Sequence, residues 1–421
     1  MVIPLEGRRR WLFPASLILL TGAYFLLAAK EFAASHFAGR PDLLSLERAA
    51  RLSPGNAEYR HRVGRYFAFV VSDPQSALEN LQAAVRINPH QARYWFDLAG
   101  AYQVAGNSAG QRDALEHALQ ADPTAPNVAW EAANFFLVEG DVDRALREFR
   151  VVIENDPALA GIALQSCWRV RPDIDALLRD AIPPHPDSLI AFLSLLQSKQ
   201  ETDGATKVWD RLAGLHEKFD TRILFDYIRY LILARRPDVA MAAWEKSADT
   251  LGLSAYLPSP DNLIVNGDFS LAMLNGGFDW NYQTQSGVGL LLDPGNFRAG
   301  QRSLSVSFEG PGIADAGIRQ FIPVGGGRNY DFSAYYKSAE FQGAGGPEIV
   351  LRDAYTGQIL FASDPLNDSA VWKEVHKEFT TPYSTTMLVL NIERVPAGSP
   401  IRGKLWLDNF QLTPAAPQEH P

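Results

Sequence analysis

Apolar residues follow three different patterns along this chain. From Trp11 to Ala29 no position is charged, and most are Leu, Ile, Phe, Ala or Tyr. At about 1.5 Å per residue the run spans roughly 28 Å, close to the hydrocarbon thickness of a bilayer, so it predicts a transmembrane helix over 11–29. From residue 42 to about 255 the apolar positions recur at helical spacing. Beyond residue 260 glycine rises and short alternating strands take over, at Arg302–Phe308, Tyr330–Lys337, Glu348–Arg352, Thr386–Ile392 and Lys404–Leu412. In the fourth, Leu388, Leu390 and Ile392 share one face and Met387, Val389 and Asn391 the other. Glycine-rich turns at 325–327 and 343–346 separate strands, a pattern that predicts an antiparallel sandwich.

The flanks of the first run set its orientation. Arg8, Arg9 and Arg10 precede it, and Lys30 and Glu31 cancel behind it. The positive-inside rule therefore places residues 1–10 in the cytoplasm and the rest across the membrane, with Trp11 and Tyr24 as interfacial anchors. The rival is a cleaved signal peptide, whose apolar region is shorter, about 7–15 residues. Ala33-Ala34-Ser35 offers it a marginal site, and no cysteine sits at the end of the run for lipoprotein processing. An all-round apolar run is also unlike a buried soluble helix.

The helical middle is punctuated by Pro54, Pro89, Pro123 and Pro157, in steps of 35, 34 and 34 residues. Such a period marks stacked helical hairpins, whose continuous curved surface holds partners. With the late proline at position 32, repeats begin at Glu58, Ala92 and Pro126. Small residues then recur at positions 8, 20 and 27 (Ala99 and Ala133; Ala77 and Ala145; Ala84 and Ala118), where two helices approach closely. Larger ones, including Leu81, Trp95, Leu98, Tyr102, Leu115, Phe136 and Phe149, fill the gaps. Gly106 and Gly140 fall where each hairpin turns.

This pattern resembles the tetratricopeptide repeat over three full units, with Leu43–Leu52 as the second half of a preceding one. His61, Arg65 and Gln111 depart from it. Past Pro157 the register weakens. Ala205-Trp209-Leu212 and Ala240-Trp244-Ser247 read as second helices, preceded by Leu189–Gln197 and Ile223–Leu233. Residues 158–187, with Pro183, Pro184 and Pro186, read as irregular. The resemblance implies partner contacts from first-helix positions 2, 5, 9 and 12. These are Tyr59, Arg62, Tyr66 and Phe69, then Arg93 and Phe96, then Asn127, Trp130, Asn134 and Leu137. Exposed aromatics mixed with Arg and Asn suit a recognition groove; the competing reading is packing between repeats or beneath the C-terminal domain.

Leu257-Pro258-Ser259-Pro260 marks a linker at 256–260. The segment 261–413 resembles carbohydrate-binding modules of the family 4/9/22 type, which are jelly rolls. The resemblance rests on Asn262–Phe269 (as first strand), Gly277-Phe278-Asp279-Trp280, Gly300–Leu304, Gln320, Tyr330–Lys337 and Leu405–Leu412. It implies a structural calcium held by Asp408 and an acid at the position that Ser270 occupies here, so a carboxylate is missing from a site that needs about six to eight oxygens. For sugars, rings must be exposed to stack, and the candidates are Tyr282, Tyr335 and Trp372. Trp280 and Trp406 read as core. The same sandwich serves many roles, so the fold alone does not assign sugar binding.

A net charge of −9, with no Lys/Arg run that competes with it, argues against nucleic acid. The single cysteine, Cys167, excludes internal disulfides and a Cys-rich zinc site, and reads as a buried thiol. No phosphate loop, zinc-protease, nucleophile-elbow or dinucleotide motif occurs. Glu348, Asp353 and Glu393 read as solvated strand charges. The expectation is a multidomain, non-enzymatic protein without a required cofactor. Its parts are a cytoplasmic N-terminus (1–10), a transmembrane helix (11–29), an all-α tetratricopeptide-like solenoid (42–255), an all-β jelly-roll sandwich (261–413) and a disordered tail (414–421). It reads as a single-pass inner-membrane protein with a periplasmic body. That body would scaffold protein partners in polysaccharide assembly, export or envelope organisation. The alternatives are a lectin-like accessory protein acting through the sandwich and, third, a divergent glycoside-acting enzyme.

Overall fold

The computed structural model describes residues 9–415. Arg8 and residues 416–421 of the tail lie outside the described residues. The chain divides into two compact units, one ending at Pro183 and the other beginning at Pro184.

The first unit is helical: α1 (Arg9–Ala38), α2 (Leu43–Leu52), α3 (Ala57–Tyr66), a π-helical turn (Phe67–Val71), α4 (Pro74–Ile87), α5 (Ala92–Val104), α6 (Ser108–Ala121), α7 (Pro126–Val138), α8 (Val142–Asn155), α9 (Pro157–Val170) and α10 (Ile174–Asp180). Local chemistry starts these helices. Asp42, Asn56, Asp73, Asn107, Asp141, Asp156 and Asp173 each accept a backbone N–H of the first turn, and Pro74, Pro126 and Pro157 stand at its start. Successive helices pair as hairpins, α3 with α4, α5 with α6 and α7 with α8. The small residues at the repeat positions are buried, among them Ala77, Ala84, Ala99, Ala118, Ala133 and Ala145.

The membrane-length helix does not stop at Ala29. It runs to Ala38 and packs its last turns on α2, burying Ala34 and Ala38, while the Ser53 hydroxyl donates to Glu31 at 2.7 Å. The end of α1 is thus the missing first half of the hairpin completed by α2. The stretch 158–187 departs from expectation: it is not irregular but holds α9 and α10. Aspartate caps start both helices, and Ala163, Leu164 and Cys167 are buried. The prolines are confined to the following turn, where Pro186 opens the next helix.

The second unit holds α11 (Pro186–Ser198), α12 (Thr202–Ala213), α13 (Thr221–Leu233) and α14 (Pro237–Leu251), followed by a β-sandwich. Its strands are β1 (Asn281–Tyr282), β2 (Val288–Asp293), β3 (Ser303–Gly312), β4 (Asp315–Pro323), β5 (Asn329–Gln342), β6 (Gly346–Asp353), β7 (Ile359–Ala362), β8 (Lys373–Thr380), β9 (Met387–Val395) and β10 (Pro400–Pro414). One antiparallel sheet has the order β1-β4-β9-β6-β7, the other β2-β3-β10-β5-β8. Inward residues such as Leu304, Val306, Phe332, Leu351, Leu390, Leu405 and Leu407 form the core between them.

The opening segment Asn262–Phe269 is not the ladder strand expected. Left-handed backbone at Asn266 (φ 52°) and Phe269 (φ 50°) breaks its extension. It docks instead by single bonds: the Leu263 N–H to Leu412 O, the Phe410 N–H to Gly267 O, and both ends of the buried Gln320 amide on the Val265 backbone. The segment joining helices to sandwich is likewise held. The Trp244 indole donates to the Tyr256 carbonyl at 3.0 Å, the Tyr256 hydroxyl donates to Ala272 O at 2.8 Å, and Phe278 meets Trp244 edge-on.

Candidate functional site

The outer face of the β2-β3-β10-β5-β8 sheet carries two of the three proposed sugar-stacking rings. Strand register aligns Leu291, Ser305, Trp406 and Lys337 in one row across β2, β3, β10 and β5. Because Tyr336 pairs with Lys373, Trp372 continues that row at the mouth of β8. The neighbouring row holds Asp293, Asp408, Tyr335 and Glu374. Trp406 is buried, as expected, but on the outer face of the sheet and not in the core between sheets, because Leu405 and Leu407 on either side of it point inward. Its indole donates to Asp293 Oδ2 at 2.7 Å, and Lys337 Nζ lies 5.6 Å from its ring centre. Burial pulls the Asp293 carboxyl up, but bonds from Trp406, Gly295 and Asn296 outweigh it and leave the group below its usual range.

The loop 294–302 lies against this face. Asn296 accepts from Lys337 at 2.9 Å, and the Arg298 guanidinium stands 4.9 Å from the Tyr335 ring centre. The Tyr335 hydroxyl donates to Glu374 at 3.0 Å, which pushes the phenol's pKa up. Tyr335 is thus engaged on its ring and its hydroxyl, whereas Trp372 is half-buried at the sheet's end beside exposed Val371.

Asp408 anchors the same loop. One carboxylate oxygen accepts the N–H groups of Arg298 (2.5 Å) and Ala299 (2.9 Å), and the other accepts that of Asn409 (2.7 Å). Burial raises its pKa, the three N–H bonds oppose this, and the nearby charge of Asp268 adds to the rise. Asp268 itself holds the Ser270 N–H and hydroxyl. With Asp408 so occupied, and no group of three His, Cys, Asp or Glu side chains able to hold a metal among the described residues, this donor set does not fit calcium.

Tyr282 does not join the other two rings. It lies on β1, opposite Ile318, at the edge of the other sheet. That sheet's outer face is charged instead. Arg352 grips Glu393 with two bonds (2.8 and 2.6 Å), and Glu348 and Asp315 stand opposite Glu393 on β6 and β4. Burial, then the Glu393 charge, raises the Glu348 pKa. These are partly buried, coupled groups rather than freely solvated strand charges. Asp353 is buried, and it caps a turn by accepting from Tyr355 and Thr356.

In the helical unit the proposed groove residues divide. Tyr59 and Tyr66 pack on Leu46, Ala50 and Val63, between repeats. Arg93 pairs with Glu58, while Arg62 is half-buried and Asn127 exposed. Trp130 meets Phe149 edge-on at 5.6 Å, and the Asn134 amide donates to the Trp130 carbonyl. Phe96 and Phe69 line a recess of about 490 Å³. Sequence reasoning missed the buried His61, whose Nε2 lies 2.6 Å from Asp97 of the next repeat. The departure from the repeat pattern at position 61 was its only signal.

Residues 261–398 match the family model described as "Carbohydrate binding domain". Among solved structures, "CBM4 structure and function" is 16% identical, over 36% of this chain and 99% of that one, with a TM-score of 0.29. "Crystal structure of MamA" is 15% identical, over 40% and 84%, with a TM-score of 0.26. "Functional Characterization of Pseudomonas Aeruginosa pilF" is 16% identical, over 54% and 93%, with a TM-score of 0.25. No curated protein matches the chain. The 34-residue hairpins and the family match together describe tetratricopeptide-like helical repeats followed by a jelly roll of the carbohydrate-binding type.

Proposed function

We propose that this chain is a membrane-anchored periplasmic adaptor. Its repeats (42–255) hold a protein partner, and its sandwich (261–413) holds a glycan, in polysaccharide assembly, export or envelope organisation. The family match over 261–398 carries the glycan part. The anchor is supported by helix continuity. Cleavage at Ala33-Ala34-Ser35 would cut α1 where Ala34 is fully buried, and would remove Glu31 from Ser53. Half-buried Trp372 beside Lys337 on the outer face supports the lectin-like reading as a second possibility, in which the sandwich acts first and the repeats are secondary.

The test is binding of the full chain, in detergent, to a panel of immobilised polysaccharides. Trp372→Ala should weaken binding at least tenfold, the scale of one lost stacking contact of about 1.5 kcal/mol. Tyr282→Ala should leave it unchanged. Loss with Tyr282→Ala alone would move the site to the other sheet, and no binding to any polysaccharide would refute the glycan reading.

A further inference from the structure

Repeat one is one residue longer than its neighbours, 35 against 34 from proline to proline. The π-helical turn Phe67–Val71 absorbs the extra residue, since each bond there closes one residue later than in an α-helix. It ends at Ser72 in the left-handed region (φ 60°), with the Asp73 N–H on the Phe67 carbonyl. The turn leaves Phe69 and Val70 largely exposed, at 69% and 63%. Beside them opens the recess of about 490 Å³, within the usual range for ligand pockets of about 300–1,000 Å³.

The recess persists because Gly100 stands where repeat one has Arg65 and repeat three Asn134. Nothing lies within 4 Å of the Cβ that Gly100 lacks. Phe69, Phe96 and Val104 supply apolar walls, and Gln103 and Gln111 supply amides. Its lining includes Asp97 and Glu131 but no Lys, Arg or His, and Arg65 reaches only its rim, 5.5 Å from the Phe69 ring centre. Asp97 is engaged by His61 and Arg65, but Glu131 is exposed and forms no ion pair among the described residues.

We propose that this recess anchors a cationic, apolar segment of the protein partner. One bulky apolar side chain enters between Phe69, Phe96 and Gly100, and an adjacent Lys or Arg pairs with Glu131. The proposal rests on the repeats being a protein-binding array and names the chemistry of what they bind.

The experiment uses the full chain in nanodiscs and fluorescein-labelled 12-residue peptides with a central Trp. The flanks are Lys in one peptide and Glu in another, and a third has Lys flanks with Ser in place of Trp. Anisotropy should show the Lys–Trp peptide binding at least tenfold tighter than either other. Gly100→Leu fills the recess at a helical position with open space, so it should keep or raise the melting temperature while weakening that peptide at least tenfold. Glu131→Lys should reverse the charge preference. Equal binding to wild type and Gly100→Leu would overturn the recess while leaving the repeats a peptide-binding array. No binding of any peptide to either protein would overturn both. Self-association of wild type that Gly100→Leu abolishes would identify a second copy as occupant and overturn the cationic segment.

Discussion

Asp279 is wholly buried, and only one of its carboxylate oxygens is used: Oδ2 accepts the Leu274 N–H at 2.6 Å, and Oδ1 has no partner. Burial dominates over its hydrogen bonds and lifts its pKa from 3.8 to about 6. A carboxyl raised in the folded state works against the usual direction. The unfolded chain holds the charge more easily, so stability is lost as pH rises through 6 and regained as it falls toward 3.8. At 1.36 kcal/mol per unit the penalty is roughly 3 kcal/mol above pH 7 and about 1 kcal/mol at pH 4.5. Asp279→Asn removes the charge but leaves an unpartnered amide donor worth about 1 kcal/mol. The variant should therefore be ~2 kcal/mol more stable than wild type at pH 7.5 and no more stable at pH 4.5. Hydrogen exchange across 264–282 in the full chain, corrected for intrinsic rates, reads this locally. Buried Asp408 and partly buried Glu348 shift the same way, so the comparison is wild type against variant at each pH. Parallel pH profiles for the two proteins would refute the reasoning.

Two further perturbations test how the sandwich is held. Arg394 is buried, its pKa lowered by desolvation, and its guanidinium donates to the carbonyls of Ala344, Gly346, Val395, Ser399 and Pro400. Arg394→Met should cost about 3 kcal/mol in urea unfolding, and Arg394→Lys should recover less than half, because an ammonium lacks the guanidinium fork; a loss under about 1 kcal/mol for the methionine would contradict this role. Gly277 has φ +61° and its missing Cβ would overlap the Trp244 ring, so Gly277→Ala should cost about 2 kcal/mol or more and speed proteolysis within 252–262. Unchanged cleavage would mean α14 does not depend on this contact.

The helical array was legible because its punctuation is local. Pro54, Pro89, Pro123 and Pro157 each follow a helix C-cap (Ser53, Asn88, Asp122 and Asp156) and act within one turn, so the period survives wherever the packing goes. Residues 158–187 were misread because small polar and apolar residues mix there and three prolines crowd its end, although Asp156 and Asp173 were visible caps. Trp406 had a usable signal: with Leu405 and Leu407 inward, period-two alternation alone sends it outward. The role of Asp408 had none. Its partners are backbone N–H groups of a loop more than a hundred residues earlier, brought to it only by the pairing of β3 with β10. The 35-residue step is visible in the sequence, but only the π-helical turn shows which part of the repeat absorbs the additional residue.

The two outer faces of the sandwich make different demands on a sugar. On the charged face, Arg352 is bound to Glu393 and Glu348 sits beside it, so a ligand would meet polar groups but few rings, chiefly half-buried Phe321 and, at the edge, Tyr282. On the other face, Tyr335 and Trp406 are already covered by Arg298 and Lys337, and freeing either ring means breaking bonds that also hold the loop 294–302. Trp372 escapes this constraint. It continues the same row beyond Lys337, just before β8 begins, where a pyranose face can stack without moving the loop, while Lys337 in that row and Glu374 in the neighbouring one stand near for its hydroxyls. A substitution there should therefore act on affinity with little effect on stability. Substitution of Tyr335 should disturb both together, and comparing the two separates a binding ring from a structural one.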